Sequence, residues 1–356
     1  MKDFLKYIDK PALTALLLLS GLGVMLINSA AHASGQPYWL RQLAFCAVAL
    51  VAFIIVFNLK TGFVFQFAPH LFVLLLFALG LQLIAGRTIA NTRSWMRIGI
   101  FSIQFSEFVK IPLLLILAKY LTTLERLTVK AIFRIAILFG VPTALIVLQP
   151  DFGVSFILCS PLLIVLCFKR IRPLLAAGLI VTFLASGLVV WNIVLRPYQK
   201  NRIISFLNPG KDKASTGYQL IQSKIAIGGG GLFGKGYLKG SQSQLQFLPT
   251  RHTDFIAAVL AEEFGFIGIS LLFLLFFILF YRQFKFKFRN DEEFYYIYLF
   301  NFLILFQFLI NIAMAIGLFP VLGVPLPFVS YGGSSLLSFF IGEAIVFRIK
   351  INSYLM

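Results

Sequence analysis

Thirteen carboxylates stand against thirty-one lysines and arginines in this 356-residue chain, so each acid can be placed and asked what it does. Six lie in or at the edge of long apolar runs: Glu107, Asp151, Asp254, Glu262, Glu263 and Glu343. Ionisable groups at membrane depth are costly and face a bundle interior or a wet cavity. Asp254 leads the candidates, because it begins an apolar run directly after Arg251-His252-Thr253. A carboxylate there can take a proton from a hydroxyl, or hold a divalent cation, Mg²⁺ or Mn²⁺, against a phosphate. The competing structural role is a helix N-cap. Asp151 begins another run, and Glu107 lies about a turn into a third. Separate helices can therefore bring these three acids to one cavity. Glu107 and Lys110 share a helix face at i, i+3 spacing, either as an ion pair bracing helices or in contact with a substrate. Interhelical hydrogen bonding suits Glu262, Glu263 and Glu343 better than chemistry does.

Other motifs carry less. Gly229 to Gly236 fits GxxxxGK, but Gly236 stands where a P-loop needs Ser or Thr, and no strand precedes it. The stretch reads instead as a turn whose N–H groups approach an anion, or as a flexible connector. His32, His70 and His252 do not cluster, which argues against zinc. Cys46, Cys159 and Cys167 sit in apolar runs without a CxxC pair.

The elements that must position these residues follow from hydropathy. Hydrophobic residues make up 60% of the chain and charged residues 12%, about half the charged share of a soluble protein. The net charge of +18 is then a matter of topology rather than of nucleic-acid binding. Runs long enough to span a bilayer need roughly 17–25 residues. Ten are present, at about 11–29, 40–57, 63–85, 103–122, 131–148, 152–168, 174–195, 254–281, 294–316 and 330–348. The fourth is the weakest, because it contains Glu107 and Lys110. The first follows a basic start and precedes Ala31-His32-Ala33, as in a signal peptide; its length favours an uncleaved first helix. Seventeen Lys and Arg lie at one set of ends and four at the opposite short ends (Arg41, Arg87, Arg93, Arg97), which puts both termini in the cytoplasm. The long loop, about 196–253, then lies outside. Its nine basic residues, Arg202, Lys224 and Arg251 among them, suit an anionic head group such as a diphosphate, or anionic membrane lipid generally. The fold class is all-α: one polytopic domain, 1–356, of ten transmembrane helices.

Several stretches together resemble the SEDS family, the shape, elongation, division and sporulation proteins. They are Thr92-Arg93-Ser94-Trp95-Met96-Arg97-Ile98-Gly99, Gln104-Phe105-Ser106-Glu107-Phe108-Val109-Lys110, Gln149-Pro150-Asp151-Phe152-Gly153, Arg196-Pro197-Tyr198-Gln199 with Arg202, and Gly217 to Gly228. Gly234-Lys235-Gly236, Gln242 to Pro249, Arg251-His252-Thr253-Asp254-Phe255-Ile256 and Pro325 to Ser335 complete the set. The match runs from the third apolar run to the last. The Arg-His-Thr-Asp-Phe form and the absence of a long terminal extension favour the RodA-type branch over the division branch. Departures are Phe105 in place of Pro, which implies a straighter start to the fourth helix, Thr250 in place of Glu, Asn208 in place of Asp, and an unusual Glu343.

The resemblance implies a ten-helix bundle with a large extracellular loop between helices seven and eight. It implies a peptidoglycan glycosyltransferase of the bacterial cytoplasmic membrane, polymerising lipid II on the outer face with a class B penicillin-binding protein as transpeptidase partner. The family's essential carboxylate falls on Asp254, its intramembrane pair on Glu107 and Lys110, and a further acid on Asp151. Substrate contacts are expected from Arg93, Arg97, Arg202, Lys224 and Arg251, and a cation, if used, from Asp254. A flippase for lipid-linked precursors and a non-catalytic scaffold for the transpeptidase are the alternatives.

Overall fold

A peptide group in lipid has no water to bond, so apolar runs must close their hydrogen bonds internally as helices. A computed structural model describes residues 8–89, 92–98, 101–179, 181, 191–192, 195–208, 216–285 and 288–354. The chain opens with α1 (Lys10–His32), α2 (Tyr38–Phe57) and α3 (Thr61–Ala85), followed by strands β1 (Arg87–Ile89), β2 (Thr92–Ile98) and β3 (Phe101–Ile103). Then come α4 (Phe105–Thr122), α5 (Val129–Leu148), α6 (Phe152–Cys159) and α7 (Pro161–Phe168). The second half holds α8 (Pro197–Leu207), α9 (Thr216–Gly230), the single turn α10 (Ser241–Gln244), α11 (Ile256–Phe284), α12 (Asp291–Ile316) and α13 (Gly333–Tyr354). Among the described residues, six helices are long and apolar enough to cross a membrane: α1, α2, α3, α5, α11 and α12.

Nine of the ten expected runs fall on helices within the described residues. The remaining run, 174–195, lies mostly outside them, as do Asp3, Lys2, Lys6, Lys211, Asp212, Lys213 and Lys287. One expectation is corrected: the fold is not purely helical. β1, β2 and β3 form an antiparallel sheet in that order, with Arg87 opposite Trp95 and Arg97 opposite Ser102. The reason is local. Arg93 and Arg97 are exposed while Ser94 between them is buried, a period of two that suits a strand and not a helix. The sheet therefore takes residues 101–103, and α4 starts at Phe105. Phe105 takes the first helical position, where a proline would cost no hydrogen bond.

The helices sort by what they face. α3 is apolar on both faces over most of its length: Phe65, Ala68, Phe72, Leu75 and Leu79 point inward, while Phe63, Phe67, Leu74, Phe77 and Ile84 remain exposed. Such an outer surface belongs in lipid. α4, the weakest run by hydropathy, is instead enclosed, with twelve of its eighteen residues buried. It packs against α3, α12 and α13, so Glu107 and Lys110 meet protein and not lipid.

The glycine-rich stretch is neither an anion cradle nor a free connector. α11 is interrupted at Gly265, which has φ +63°, and this leaves backbone groups unpaired on both sides. The loop 230–236 supplies their partners. Lys235 N donates to Glu262 O and Gly236 N to Glu263 O, both at 2.9 Å; Phe266 N donates to Gly231 O at 2.9 Å and Ile267 N to Leu232 O at 3.2 Å. Backbones this close exclude side chains: a Cβ on Gly234 would lie 2.1 Å from Glu263 O, and one on Gly230 1.9 Å from Ala261 O. The loop's anion is the chain's own Glu262, bonded by Lys235 Nζ at 2.8 Å and Gln242 N at 2.9 Å.

Gly234→Ala should therefore cost about 2 kcal/mol or more, from its φ of +78° and the clash together. Gly21→Ala, where nothing lies within 4 Å, should be neutral or better. Thermal unfolding of the purified variants in detergent checks the pair, and equal midpoints for both would refute the splice.

Candidate active site

Asp254 does not cap its helix. α11 begins at Ile256, with Phe255 at the cap position and no side-chain cap bond. Asp254 instead ends a tight turn in which Thr250 O accepts from the N–H groups of Thr253 (3.0 Å) and Asp254 (3.1 Å). Three outside contacts fix that turn. Asn311 Nδ2 on α12 donates to Asp254 O at 2.9 Å and to Val324 O at 2.8 Å. Ser330 Oγ donates to Thr253 O at 2.6 Å. Tyr331 N donates to His252 O at 2.9 Å. With its backbone held by these groups, the carboxylate is not needed to cap the helix.

It opens onto a cavity of about 360 Å³ at the end of the bundle where α11 and α13 begin. The walls come from β2, the start of α4, the turn at 150–151, α8, the turn at 250–254 and the segment 320–335. Of the expected site residues, Asp254, Asp151, Glu107 and Arg202 line it together. Arg202 is the one cation among the described lining residues. It meets Asp254 across Gly323: a Cβ there would lie 3.7 Å from Asp254 Oδ2 and 3.8 Å from Arg202 Nη1.

The three acids are not equivalent. Asp151 takes the capping role, accepting from Val154 N at 3.2 Å on Oδ1 and from Gln104 Nε2 at 2.8 Å on Oδ2. Glu107 is paired at 2.9 Å with Lys110, and both side chains are buried. Lys110 lies behind Glu107 and does not line the cavity; its Nζ sits 5.4 Å from the centre of the Phe339 ring. Asp254 alone of the three has neither a capping bond nor an ion pair. It lies in the turn before the membrane-spanning helix, where surrounding protein strips it of bulk water and pushes its pKa up to about 6. The Arg202 guanidinium and the Thr253 hydroxyl draw it back, and the Asp151 charge adds to the rise. A carboxyl near neutrality is matched to proton transfer in a way that a free Asp is not.

The same inventory limits metal binding. No group of three or more His, Cys, Asp or Glu among the described residues could hold an ion. With Asp151 and Glu107 committed, the donor set fits an ion only as one carboxylate shared with oxygens of a ligand, a common arrangement for Mg²⁺ on phosphates.

Four expected contacts lie elsewhere, since none of Arg93, Arg97, Lys224 and Arg251 lines the cavity. Arg93 and Arg97 project from the exposed face of β2. Lys224 is exposed on α9, beside Gly317. Arg251 Nε donates to Ala30 O at 2.5 Å, which ties the turn to α1. His252, next but one to Asp254, stacks on Tyr38 at 4.9 Å. Sequence reasoning passed over Gln104, Tyr198, Thr253 and Tyr331, all on the cavity wall. Each stood inside a motif already singled out, but an uncharged polar side chain gives no sign in sequence that it faces a cavity.

Comparison with known proteins follows this geometry. The FtsW/RodA/SpoVE cell cycle protein model matches residues 10–355. The chain is 36% identical over 360 residues to the peptidoglycan glycosyltransferase MrdB of Escherichia coli K12, covering 97% of this chain and 94% of that one. It is 35% identical over 367 residues to the probable peptidoglycan glycosyltransferase FtsW of Hydrogenovibrio crunogenus, covering 97% and 92%. In structure it resembles a chain from work on the coordination of polymerization and crosslinking by a peptidoglycan synthase complex, with a TM-score of 0.83, 28% identity and coverage of 98% and 99%. It also resembles the rod shape determining protein RodA of Thermus thermophilus, with a TM-score of 0.73, 27% identity and 98% of each chain covered. A bundle of apolar helices that gathers the motif acids at one end, matched over nearly its whole length by these relatives, belongs to the SEDS family of membrane proteins, the FtsW/RodA/SpoVE group.

Proposed function

We propose that this chain is a peptidoglycan glycosyltransferase that polymerises lipid II at the cavity, with Asp254 as the group that receives the acceptor's proton. The observation that carries the reading is the pairing of one carboxylate without a capping bond or ion pair, raised toward neutrality, with one cation across Gly323. In the reaction, the C4 hydroxyl oxygen of one lipid-linked disaccharide attacks the anomeric carbon of another. Its proton passes to an Asp254 oxygen, and the bond from C1 to the diphosphate breaks. The electron pair leaves on undecaprenyl diphosphate, beside Arg202. An α-linked donor yields a β-1,4 bond, so the single displacement inverts. Asp151 and Glu107 act as positioning residues, holding the 150–151 turn and the start of α4. A Mg²⁺ or Mn²⁺ ion, where bound, would rest on Asp254 and the diphosphate and supply further charge neutralisation to the leaving group.

The same reading assigns ten spans in one domain, both termini in the cytoplasm and the cavity on the outer face of the bacterial cytoplasmic membrane. It is supported by the excess of Lys and Arg at the opposite ends, seventeen against four. The loop at about 196–253, which contributes Arg202, is then extracellular. The partner is a class B penicillin-binding protein, in line with the synthase complex that one structural relative represents. Cell elongation is the role favoured by the Arg251-His252-Thr253-Asp254-Phe255 form.

Asp254→Asn should lower lipid II polymerisation by about 10²–10⁴-fold while leaving folding intact; undiminished product from the purified variant with its partner would sink the assignment. EDTA separates the roles of the carboxylate: activity lost on chelation and restored by Mg²⁺ assigns a shared ion, and activity retained leaves proton acceptance alone.

The pH profile gives an independent check. A proton acceptor must be ionised, so the rate should rise as pH passes upward through about 6. Removing the nearby cation by Arg202→Gln should move that midpoint to higher pH, and removing the like charge by Asp151→Asn should move it lower. A midpoint that stays put in both variants would show that another group titrates.

A further inference from the structure

The end of the bundle opposite the cavity carries a second built pocket. α3, α12 and α13 each run from one end to the other. Their far ends continue into or contribute cavity residues (Thr92 and Trp95 after α3, Pro320 after α12, Ser335 on α13). Their near ends enclose an open pocket of about 470 Å³, lined by Lys60, Thr61, Phe63, Arg289, Arg348 and Asn352 with two neighbours. Three cations from three different elements therefore converge on one space. Lys60 and Arg289 are exposed at its rim, and Arg348 reaches it from within α13. Arg348 Nε is buried and has no hydrogen-bond partner among the described residues. A buried donor left unpaired costs stability unless a ligand or water completes it.

The acids nearby do not cancel this charge. Glu293 is buried against Thr61, Asn352 and Arg289 with its Oε2 unpartnered among the described residues, and can offset at most one of the three cations. Asp291 and Glu292, on the same first turn of α12, do not line the pocket. Asn352 Nδ2 donates to Thr61 Oγ1 at 3.1 Å, which closes the floor. The pocket is left with two positive charges in excess and a buried donor to satisfy.

One wall is apolar and continues outward. Phe63 lines the pocket and is 52% exposed. Its ring stacks on Phe67 at 5.7 Å. The exposed face then climbs α3 past His70, which stacks on Phe67 at 5.9 Å, to Leu74, Phe77 and Ile84. A cationic cup with this exit matches one chemistry: a phosphate held in the cup and hydrocarbon lying along the phenylalanines. We propose that this pocket binds the phosphate head group of an anionic phospholipid, with its acyl chains on Phe63 and Phe67. Basic pockets between membrane helices take such head groups through charge and hydrogen bonds together. The site is separate from the cavity and stands whether or not the catalytic reading does.

Binding to the purified full chain in detergent, followed by native mass spectrometry and thermal shift, tests the site. The probes are dioleoylphosphatidylglycerol, tetraoleoyl cardiolipin, dioleoylphosphatidylethanolamine and glycerol 3-phosphate. Both anionic lipids should bind and raise the midpoint, and the zwitterionic lipid should not. Lys60→Gln/Arg289→Gln alters two exposed side chains outside the core, so it should fold. It should weaken anionic lipid binding about 30-fold, taking roughly 1 kcal/mol per cation and 1.4 kcal/mol per tenfold. Lys60→Arg, which keeps the charge, should retain binding. Glycerol 3-phosphate binding as tightly as the lipids would show a site for soluble anions. Equal binding of phosphatidylethanolamine, or a double variant that binds like the parent, would likewise overturn the proposal.

Discussion

Every peptide group within a bilayer must find its partner inside the protein, and the irregular segments of this chain are shaped by that demand. Two places leave the helical ladder near the cavity end. At the start of α11, the turn 250–254 is closed by Thr250 O within and by Asn311, Ser330 and Tyr331 from without. Two turns later, the break at Gly265 is closed by the backbone of loop 230–236. Both closures use main-chain groups or short side chains, which tolerate little displacement. The consequence for chemistry is direct. A carboxylate at the end of a backbone so fully bonded is held in place without spending its own oxygens.

That economy distinguishes the acids. Charge inside a low-dielectric bundle is stabilised only by partners, and most of the acids here have found theirs. Glu262 is met by Lys235 and the first turn of α10, Glu107 by Lys110, and Asp151 by Gln104 and the start of α6. Asp254 is the exception among those lining the cavity, since its cation, Arg202, stands across Gly323 and not in contact. A gap of this kind leaves room for a reacting group between opposite charges. A tight ion pair would instead hold the carboxylate acidic and occupied.

The sequence carried the helices well, because apolar runs of spanning length have few other outcomes. It singled out Asp254 through the scarcity of acids, but it could not tell whether that carboxylate caps its helix. Asp151 and Asp254 each precede an apolar run, and only the register of the following turn shows which one caps. The sheet at 87–103 was missed because the segment was read as a short connection between two apolar runs, counted for its arginines, while the alternation of Arg93, Ser94 and Arg97 lies inside a motif read for its identity. The basic residues were the least legible. Arg251 and Arg202 look alike in a cationic loop, yet one ties the turn to Ala30 O and the other faces the cavity. Side-chain direction in a loop has no periodicity to betray it.

The division of the site between two kinds of support bears on how it works. Asp254 belongs to the bundle, through α11, α12 and the segment 320–335. Arg202 belongs to α8, which meets the bundle through Tyr198, whose hydroxyl donates to Pro150 O at 3.2 Å and accepts from Gln199 Nε2 at 2.9 Å. Tyr198 also carries the Arg202 guanidinium 5.8 Å above its ring. The cation is thus referenced to the 150–151 turn, whose Asp151 is in turn bonded to Gln104 at the head of α4. Any shift of α8 changes the separation of Arg202 from Asp254 without disturbing the carboxylate's own backbone. Because Arg202 also lowers the affinity of Asp254 for a proton, the position of α8 bears on the basicity of the carboxylate and, in the proposed reaction, on the charge that meets the leaving diphosphate. In the proposed reaction, one loop helix carries the cation while the bundle holds the carboxylate.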